Sequence, residues 1–308
     1  MQTPNSHCKN ILLTGATGFI GKNLTYFLYK KGHKLTILSL TQTDFSFGKE
    51  YVGSLKDSNF LKEVFEEVKP QVCIHLAAQA TPGRNLEELD AQYENTVLPA
   101  LSVAKALPVS IELALFFGSC DEYGSNPTPF HENQTLNCFS PYGWAKISAY
   151  YGVLMIAHER KIPWCWVRPS LPFGPHQTGD RLVPTIIEGC LQNKTVFLTQ
   201  GEQTRDFLYV EDLCKMLENI ALNPNKSRGE VFNLSTNTPR SIKLVAELIQ
   251  KQIGKGTLQF GGLPYRSQEV FDFHVSSLKY IEQFGALDLT PFEEAICKTI
   301  ESYVYNNP

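Results

Sequence analysis

A tyrosine and a lysine lie four residues apart in the segment from Tyr142 to Lys146. On a helix this spacing places the phenol and the ammonium group on one face. A nearby cation favours the ionised form of a phenol, so Tyr142 could donate and accept a proton near neutral pH. A solvated pair of side chains is the alternative. Ser119 favours chemistry, because it follows a strand-like run and α/β sheets bind ligands at the carboxyl ends of their strands.

Three glycines spaced three apart follow the first apolar run of the chain, and an amphipathic run comes after them. This order predicts a buried strand, a tight turn and a helix whose N-terminus lies in the turn. The free N–H groups and the positive end of the helix dipole suit a diphosphate there. An ordinary strand-to-helix turn is the alternative. Beside a dinucleotide, the serine, tyrosine and lysine would form a site for hydride transfer between a carbonyl and an alcohol. The glycines are Gly15, Gly18 and Gly21.

Strand-like and helix-like runs alternate up to residue 168, which predicts a Rossmann-type, doubly wound parallel α/β sheet with helices on both faces. From Pro169 the chain becomes rich in proline and glycine. We therefore expect a dinucleotide-binding domain over residues 1–168 and a smaller mixed α/β lobe over 169–308, interleaved with the first. The main predicted helices are 22–31, 58–69, 85–106, 141–161, 182–193, 211–222, 242–254 and 291–305. The predicted strands are 11–14, 34–40, 51–52, 71–76, 111–118, 162–168 and 195–198.

The composition excludes several classes of protein. The chain has 308 residues and is 43% hydrophobic, which suits a substantial core and about two domains. With a net charge of −3 and no basic stripe, nucleic acid is not an expected partner. We expect no membrane span and no signal peptide, because the apolar runs are short and the N-terminus is polar. The eight dispersed cysteines predict a reduced, cytoplasmic protein without disulfides or a metal site.

With these motifs, the chain resembles the extended short-chain dehydrogenases/reductases that act on nucleotide-diphosphate sugars as epimerases, dehydratases or 4-ketoreductases. The residues that carry the resemblance span nearly the whole chain. The resemblance implies a nucleotide-diphosphate sugar as substrate and a homodimer built on the helices 85–106 and 141–161. The matching segments are 14–21, 75–79, Asn95, Ser119 with Tyr123-Gly124, 140–146, Arg168-Pro169, 173–177, 205–212 and 264–269.

The resemblance also implies roles for the residues of the catalytic site. Tyr142 would be the acid and base at the sugar hydroxyl or ketone, and Lys146 would hold the nicotinamide ribose. Ser119 would hydrogen-bond the reacting oxygen. Besides Tyr142 and Lys146, the residues expected to contact the cofactor are Gly15, Thr17, Gly18, Phe19, Ile20, Gly21, Ser39, Ser54, Leu55, Leu76, Ala77, Ala78 and Pro169.

Two arginines are expected to bind the substrate. By the resemblance, Arg205 and Arg266 would clamp the diphosphate, for which the fork of a guanidinium is well suited. The alternative is a surface ion pair, for instance between Arg205 and Asp206, although Asp206 is expected to order its loop or to pair with a neighbouring backbone. Thr81 and Asp121 are further expected substrate contacts.

The end of the second strand departs from the family's pattern. NAD users normally carry an acidic residue there, which binds the ribose 2′-hydroxyl. Ser39 occupies this position, and Ser54 replaces an aspartate that contacts adenine in the family. The hydroxyls of Ser39 or Thr41 could bind a 2′-phosphate. We therefore expect NADP(H), with NAD(H) as the alternative, because no arginine stands beside them.

The residues after Ser119 also depart from the pattern of the 4,6-dehydratases, which place Thr-Asp-Glu here. Elimination of water needs an acid and a base, and this chain has Cys120 at the acid's place and Asp121 at the base's. The pair Asp121-Glu122 could replace them only with a one-residue slip, which reverses side-chain direction in an extended segment.

We therefore expect a 4-reductase of a nucleotide-diphosphate 4-keto-6-deoxyhexose, in which hydride passes from NAD(P)H to C4 and Tyr142 donates the proton. A nucleotide-sugar 4-epimerase with tightly bound NAD is the alternative. A 4,6-dehydratase ranks third, and a non-catalytic dinucleotide-binding regulator is the hypothesis outside this class.

Overall fold

The computed structural model describes residues 8–43, 45–80, 85–138, 140–179, 181–266 and 269–306. Its backbone forms two compact units. The first comprises Met1–Asn126, Glu132–Arg168 and Cys214–Asn233, and the second comprises Pro127–His131, Pro169–Leu213 and Leu234–Pro308. The assignment of dinucleotide binding to residues 1–168 and of substrate binding to residues 169–308 stays a prediction.

The elements are numbered in chain order. The strands are β1 (Asn10–Thr14), β2 (Lys34–Ser39), β3 (Lys49–Val52), β4 (Val72–His75), β5 (Leu113–Phe117), β6 (Trp164–Pro169), β7 (Leu171–Phe173), β8 (Thr195–Phe197), β9 (Thr204–Arg205), β10 (Phe207–Tyr209), β11 (Glu230–Leu234), β12 (Arg240–Ser241), β13 (Thr257–Gln259) and β14 (Asp272–Phe273). The α-helices are α1 (Phe19–Lys30), α2 (Ser58–Val68), α3 (Leu89–Gln92), α4 (Leu98–Ala106), α5 (Pro141–Arg160), α6 (Leu182–Leu191), α7 (Val210–Leu222), α8 (Pro224–Ser227), α9 (Ile242–Ile253), α10 (Leu278–Phe284) and α11 (Phe292–Asn306).

The central sheet has seven strands in the order β11-β6-β5-β4-β1-β2-β3. All neighbouring pairs from β6 to β3 are parallel, and Leu13 of β1 pairs with Ile37 on one side and with Ile74 on the other. The chain order reverses between β1 and β4, where sheets of this kind open a crevice at the carboxyl ends of their strands. The predicted doubly wound parallel sheet is confirmed.

The apolar residues of the central strands are buried between layers of helices. The strands β4 and β5 consist of buried residues throughout, as expected when helices cover both faces. On one face, β1, β2, β4 and β5 pack against α2, α4 and α5 through a shared hydrophobic core. This core includes Leu12, Leu38, Phe65, Cys73, Val103, Phe116, Val153 and Trp166.

The predicted helix over residues 85–106 is wrong as a single α-helix. A 3-10 turn (Leu86–Glu88) precedes α3, and a π-helical turn (Tyr93–Val97) separates α3 from α4. Pro99 in the first turn of α4 explains the interruption, because proline has no N–H to donate and its ring clashes with the carbonyl four residues earlier. The segment stays helical, but its register changes.

Among its described residues, the second unit contains three small sheets. β10 pairs with β7 and β13 with β8, both parallel, while β9 lies between β12 and β14. These short strands were mostly missed by the sequence prediction, because runs of two or three residues carry no clear alternation. Of the helices that the structure describes, none is both long and apolar enough to cross a membrane.

Candidate active site

The glycine turn brings three backbone segments into close contact. Gly15 has a φ of +74°, and a Cβ there would lie 2.6 Å from the backbone nitrogen of Ala77. A Cβ on Gly21 would lie 2.1 Å from the carbonyl oxygen of Gly15. Gly18 precedes α1 as its N-cap and has no side chain to cap the helix. The turn is therefore a backbone cradle at a helix N-terminus, which fits the diphosphate of a dinucleotide.

The end of β4 lies against this cradle. Thr14 Oγ1 is 2.8 Å from His75 Nδ1 and accepts a hydrogen bond from the Ala77 backbone at 3.4 Å. Burial, with a contribution from the charge of Lys146, lowers the pKa of His75 to about 3. His75 is therefore neutral at physiological pH, and it is buried at the end of β4. Leu76 and Ala77 are partly exposed beside the turn.

Ser119 lies two residues beyond the end of β5 and caps the 3-10 turn Cys120–Tyr123. Its Oγ accepts a hydrogen bond from the backbone of Asp121 at 3.2 Å and donates one to Asp121 Oδ2 at 3.1 Å. In return, Glu122 Oε1 accepts from the Ser119 backbone N–H at 2.8 Å. This reciprocal capping box fixes the backbone of Ser119.

Glu122 is fully buried and accepts two more hydrogen bonds, from Arg168 Nε at 2.7 Å and from Trp166 Nε1 at 3.2 Å. Arg168 also donates to the Tyr123 hydroxyl, which donates to Asn233 Oδ1 at 2.7 Å. Burial alone would lower the pKa of Arg168, but the charges and hydrogen bonds of Glu122 and Tyr123 together outweigh it, and the pKa is raised.

This buried carboxylate is a residue whose role the sequence prediction missed. Glu122 entered there only as a substitute for a dehydratase acid or base, whereas the structure commits it to Arg168. The signal was present, because Ser119 and Glu122 have the Ser-x-x-Glu spacing of a capping box. A Cβ on Gly118 would lie 2.1 Å from Glu122 Oε1, so the glycine before the serine admits the carboxylate.

The helix α5 carries the tyrosine and the lysine to the same strand end. Ser140 caps α5 by accepting from the Gly143 N–H at 3.0 Å, and a Cβ on Gly143 would lie 3.0 Å from the carbonyl oxygen of Asp121. Lys146 is buried, and its Nζ donates to the carbonyl oxygen of Phe117 in β5 at 2.7 Å.

The ammonium group of Lys146 lies near the ring of Tyr142. Its Nζ lies 5.8 Å from the centre of the Tyr142 ring. Burial lowers the pKa of Lys146 to about 8, and the charge of Glu122 opposes that shift. The structure thus brings Ser119, Tyr142 and Lys146 together at the carboxyl end of β5. Their catalytic roles stay predictions.

At the end of β2, the structure contradicts the premise on which NADP(H) was expected. Ser39 Oγ donates a 2.6 Å hydrogen bond to Glu50 Oε1, so a carboxylate does lie at this strand end and comes from β3. Thr43 donates to the same carboxylate from its backbone at 3.1 Å and from its hydroxyl at 2.8 Å. The hydrogen bond from Ser39 is the main cause that lowers the pKa of Glu50. Sequence comparison by position missed it because Glu50 follows Ser39 by 11 residues.

The remaining predicted cofactor contacts lie on several loops, on α1 and on β6. Thr17 is exposed in the glycine turn, and Pro169 ends β6. Ser54 and Leu55 follow β3, where Ser54 Oγ accepts from the Lys56 backbone at 3.2 Å. Their contacts with a cofactor stay predictions, as do those of Phe19, Ile20 and Ala78. The predicted substrate contact Thr81 lies outside the described residues.

The two predicted diphosphate-binding arginines lie in the second unit. Arg205 donates to Glu269 Oε1 at 2.7 Å, so the suggested pair with Asp206 does not form. Asp206 is fully buried and accepts from the backbones of Thr236 and Thr238, so it orders that neighbouring segment of backbone rather than its own loop. Arg266 is exposed. The diphosphate clamp itself stays a prediction.

Comparison with known proteins agrees with this geometry. Residues 11–235 match the NAD dependent epimerase/dehydratase family. The chain belongs to this family. The predicted relationship to nucleotide-sugar enzymes of the extended short-chain dehydrogenase/reductase type is therefore confirmed, and so is an NAD(P)-dependent enzymatic activity.

Members of the family cover nearly the full length of the chain. The dTDP-D-glucose 4,6-dehydratase of Bos taurus is 27% identical, over 98% of this chain and 91% of its own. The UDP-glucose 4-epimerase of Neisseria meningitidis is 26% identical, over 90% of this chain and 92% of its own. The crystal structure of the Thermus thermophilus UDP-glucose 4-epimerase in complex with NAD is 21% identical, covers 96% and 98% of the two chains, and superposes with a TM-score of 0.84. At this level of identity, the similarity to the Thermus thermophilus structure shows a shared fold.

Proposed function

We propose that this chain is a nucleotide-diphosphate 4-keto-6-deoxyhexose 4-reductase. One observation carries the proposal. Ser119, Tyr142 and Lys146 meet at the carboxyl end of β5, while the carboxylate that could have served elimination, Glu122, is buried against Arg168. The described residues of the site therefore include the groups for carbonyl reduction, and no acid and base pair for loss of water is found among them.

The reduction needs one proton at the sugar oxygen and one hydride at C4. The reduced nicotinamide cofactor supplies the hydride when it is bound. The Tyr142 phenol donates its proton to the oxygen of C4 as the alcohol forms, and the Ser119 hydroxyl turns its proton from Asp121 to that oxygen. Lys146, with a pKa of about 8, is mainly protonated at pH 7 and stabilises the phenolate that Tyr142 becomes.

Elimination of water is disfavoured by the turn after Ser119. Cys120 is buried at the place of the dehydratase acid, and Glu122 is fully buried with its oxygens bound by Ser119, Trp166 and Arg168. Asp121 is the carboxylate of this turn that stays partly exposed, and it accepts a hydrogen bond from the Ser119 hydroxyl. We assign to Asp121 the orientation of that hydroxyl and a contact to the sugar.

A 4-epimerase is the second candidate function. The same three residues would serve it, with hydride removed from C4 and returned to the opposite face. The carboxylate of Glu50 at the end of β2 favours NAD, which an epimerase retains, and the Neisseria meningitidis relative is an epimerase. No net consumption of cofactor distinguishes this reaction from the reduction.

The substrate class and the assembly complete the proposal. Arg205 and Arg266 would bind the substrate's diphosphate, with Arg205 leaving Glu269 or sharing it. A homodimer in the cytoplasm remains the expected state. Tyr151 and Met155 on α5 are exposed apolar residues that such an interface would cover, and size-exclusion chromatography tests it.

The test is a turnover assay with Tyr142→Phe as the key variant. Wild-type protein should consume reduced nicotinamide cofactor in the presence of a nucleotide-diphosphate 4-keto-6-deoxyhexose and yield a product two hydrogens heavier. Tyr142→Phe should lose about 10²–10⁴-fold in rate, since it lacks the proton donor, and keep its melting temperature. Tyr29→Phe, a change at an exposed position on α1, should keep the wild-type rate.

Three outcomes would overturn the reductase proposal. Interconversion of C4 stereoisomers without net cofactor consumption would establish the epimerase. Conversion of a nucleotide-diphosphate hexose into its 4-keto-6-deoxy product would establish a dehydratase. An unchanged rate for Tyr142→Phe would remove Tyr142 from the chemistry.

A further inference from the structure

The carboxylate of Glu50 is held by three hydrogen bonds at the end of β2. Its donors are the Ser39 hydroxyl at 2.6 Å, the Thr43 hydroxyl at 2.8 Å and the Thr43 backbone at 3.1 Å. All three donors are neutral. The side chain is only partly buried, so the carboxylate keeps its negative charge at the surface of this strand end.

The register of the sheet explains why Glu50 reaches Ser39. Ile37 of β2 pairs with Glu50 of β3, and Ser39 lies two residues beyond Ile37. Side chains two residues apart on a strand point to the same face, so Ser39 and Glu50 share one face of the sheet. Strand β2 neighbours β1, whose carboxyl end continues into the glycine turn. The carboxylate therefore stands at the strand end next to the dinucleotide cradle.

The direction of the hydrogen bonds determines which ligand suits Ser39. The Ser39 proton is donated to Glu50, so towards a ligand the hydroxyl can offer only its oxygen lone pairs. A ribose 2′-hydroxyl can donate to such an acceptor. A 2′-phosphate has only acceptor oxygens at neutral pH, and it would also meet the charge of Glu50. A carboxylate has about four acceptor positions, and three are used by the described residues, which leaves one for a hydroxyl donor.

We propose that Glu50 sets the cofactor selectivity of this chain. Together with Ser39 it accepts hydrogen bonds from the adenosine ribose of NAD, and it repels the 2′-phosphate of NADP. Strand β3 thus supplies the negative charge that β2 lacks at its own end. This inference rests on the proposed dinucleotide-dependent function, and it identifies the adenosine ribose as the part of the cofactor that Glu50 contacts.

Isothermal titration calorimetry with NAD+ and with NADP+ tests the proposal on the cofactor-free full chain. Wild-type protein should bind NAD+ at least about tenfold more tightly than NADP+. In Glu50→Gln the ratio should fall towards one, mainly because NADP+ binds more tightly. Raising the salt concentration should weaken the selectivity of the wild type, because ions screen an exposed charge, and should leave that of the variant unchanged.

The matched control is Glu66→Gln, which removes the same charge from an exposed position on α2 of the first unit. It should retain the wild-type ratio. Equal affinity of the wild type for both nucleotides would overturn the proposal, as would an unchanged ratio in Glu50→Gln or an equal change in Glu66→Gln. In those cases binding and turnover persist, so the proposed function stands. Binding of neither nucleotide would contradict the function and the inference together.

Discussion

At two strand ends of the central sheet, a glutamate accepts a hydrogen bond from a serine. At the end of β5, Glu122 accepts from the Ser119 backbone, and at the end of β2, Glu50 accepts from the Ser39 hydroxyl. Each carboxylate accepts three hydrogen bonds from described residues. The two pairs are alike in composition, but they differ in burial and in the charge of their donors.

That difference separates a structural carboxylate from one that can act on a ligand. Glu122 is fully buried, and the guanidinium of Arg168 neutralises it. Its hydrogen bonds are all made inside the protein, where they hold the backbone of Ser119 in place. Glu50 is partly exposed and bound only by neutral groups, so its charge remains available to a molecule that binds beside it. Burial and counter-charge, more than residue type, decide the role of each glutamate.

The largest expected effect that separates the two ends is on stability. Glu122→Gln should lower the free energy of unfolding by about 3 kcal/mol, because it leaves the buried charge of Arg168 without its partner. Urea denaturation followed by circular dichroism measures the change. Glu50→Gln should change the urea midpoint much less, since its carboxylate is partly exposed and the variant leaves no charge unpaired.

A double variant sharpens this prediction. Replacing both charges, with Glu122→Leu and Arg168→Met, should recover most of the lost stability, because the uncompensated charge is then gone. Equal denaturation midpoints for Glu122→Gln and the wild type would show that the two glutamates do not differ in the way proposed.

The sequence was sufficient for the parallel sheet and for the three residues that the structure brings together at the end of β5, whose catalytic roles stay predictions. Buried apolar runs, the glycine turn and the spacing between Tyr142 and Lys146 are local patterns. Such patterns involve residues close in sequence, so they can be recognised without knowing the fold. Both glutamates show where this approach reaches its limit. The Glu122–Arg168 pair joins residues 46 apart, and the Ser39–Glu50 pair depends on the register between β2 and β3. Neither contact can be inferred from composition or spacing along one element.

The break in the helix over residues 85–106 has a different origin. Pro99 was visible, but the amphipathic pattern around it continued, and proline is tolerated in the first turn of a helix. The structure uses this tolerance by starting a new α-helix at Leu98 after a π-helical turn. A periodic pattern therefore predicted helical character correctly and the number of helices wrongly.

A second expected difference concerns the pH dependence of turnover. Burial lowers the pKa of Lys146 to about 8, and Glu122 opposes this shift. The rate should therefore fall to about half of its plateau near pH 8, as the amine loses the proton that stabilises the Tyr142 phenolate. In Glu122→Gln the midpoint should move to lower pH, because the supporting negative charge is gone.

The same rate profile in Glu50→Gln is the control, and its midpoint should match that of the wild type. The rate should be measured at saturating substrate from pH 6 to about pH 10, where Lys146 loses its proton but arginine does not. A midpoint that moves equally in both variants would mean that Lys146 senses the net charge of the unit rather than Glu122.

The smallest expected effects come from removing one hydroxyl at each end. Tyr123→Phe deletes a hydroxyl that Arg168 and Asn233 both use, and should cost about 1–3 kcal/mol in the free energy of unfolding, because buried polar atoms lose their partner.

Thr43→Val deletes a hydroxyl that donates to Glu50 but keeps the backbone donor, so the carboxylate stays near Ser39 with less restraint. The preference for NAD+ over NADP+ should then fall only about twofold, against about tenfold for Glu50→Gln, with an unchanged urea midpoint. Calorimetry on this variant decides how much of the selectivity depends on the orientation of Glu50. A loss as large as that of Glu50→Gln would show that the restraint by Thr43 matters as much as the charge itself.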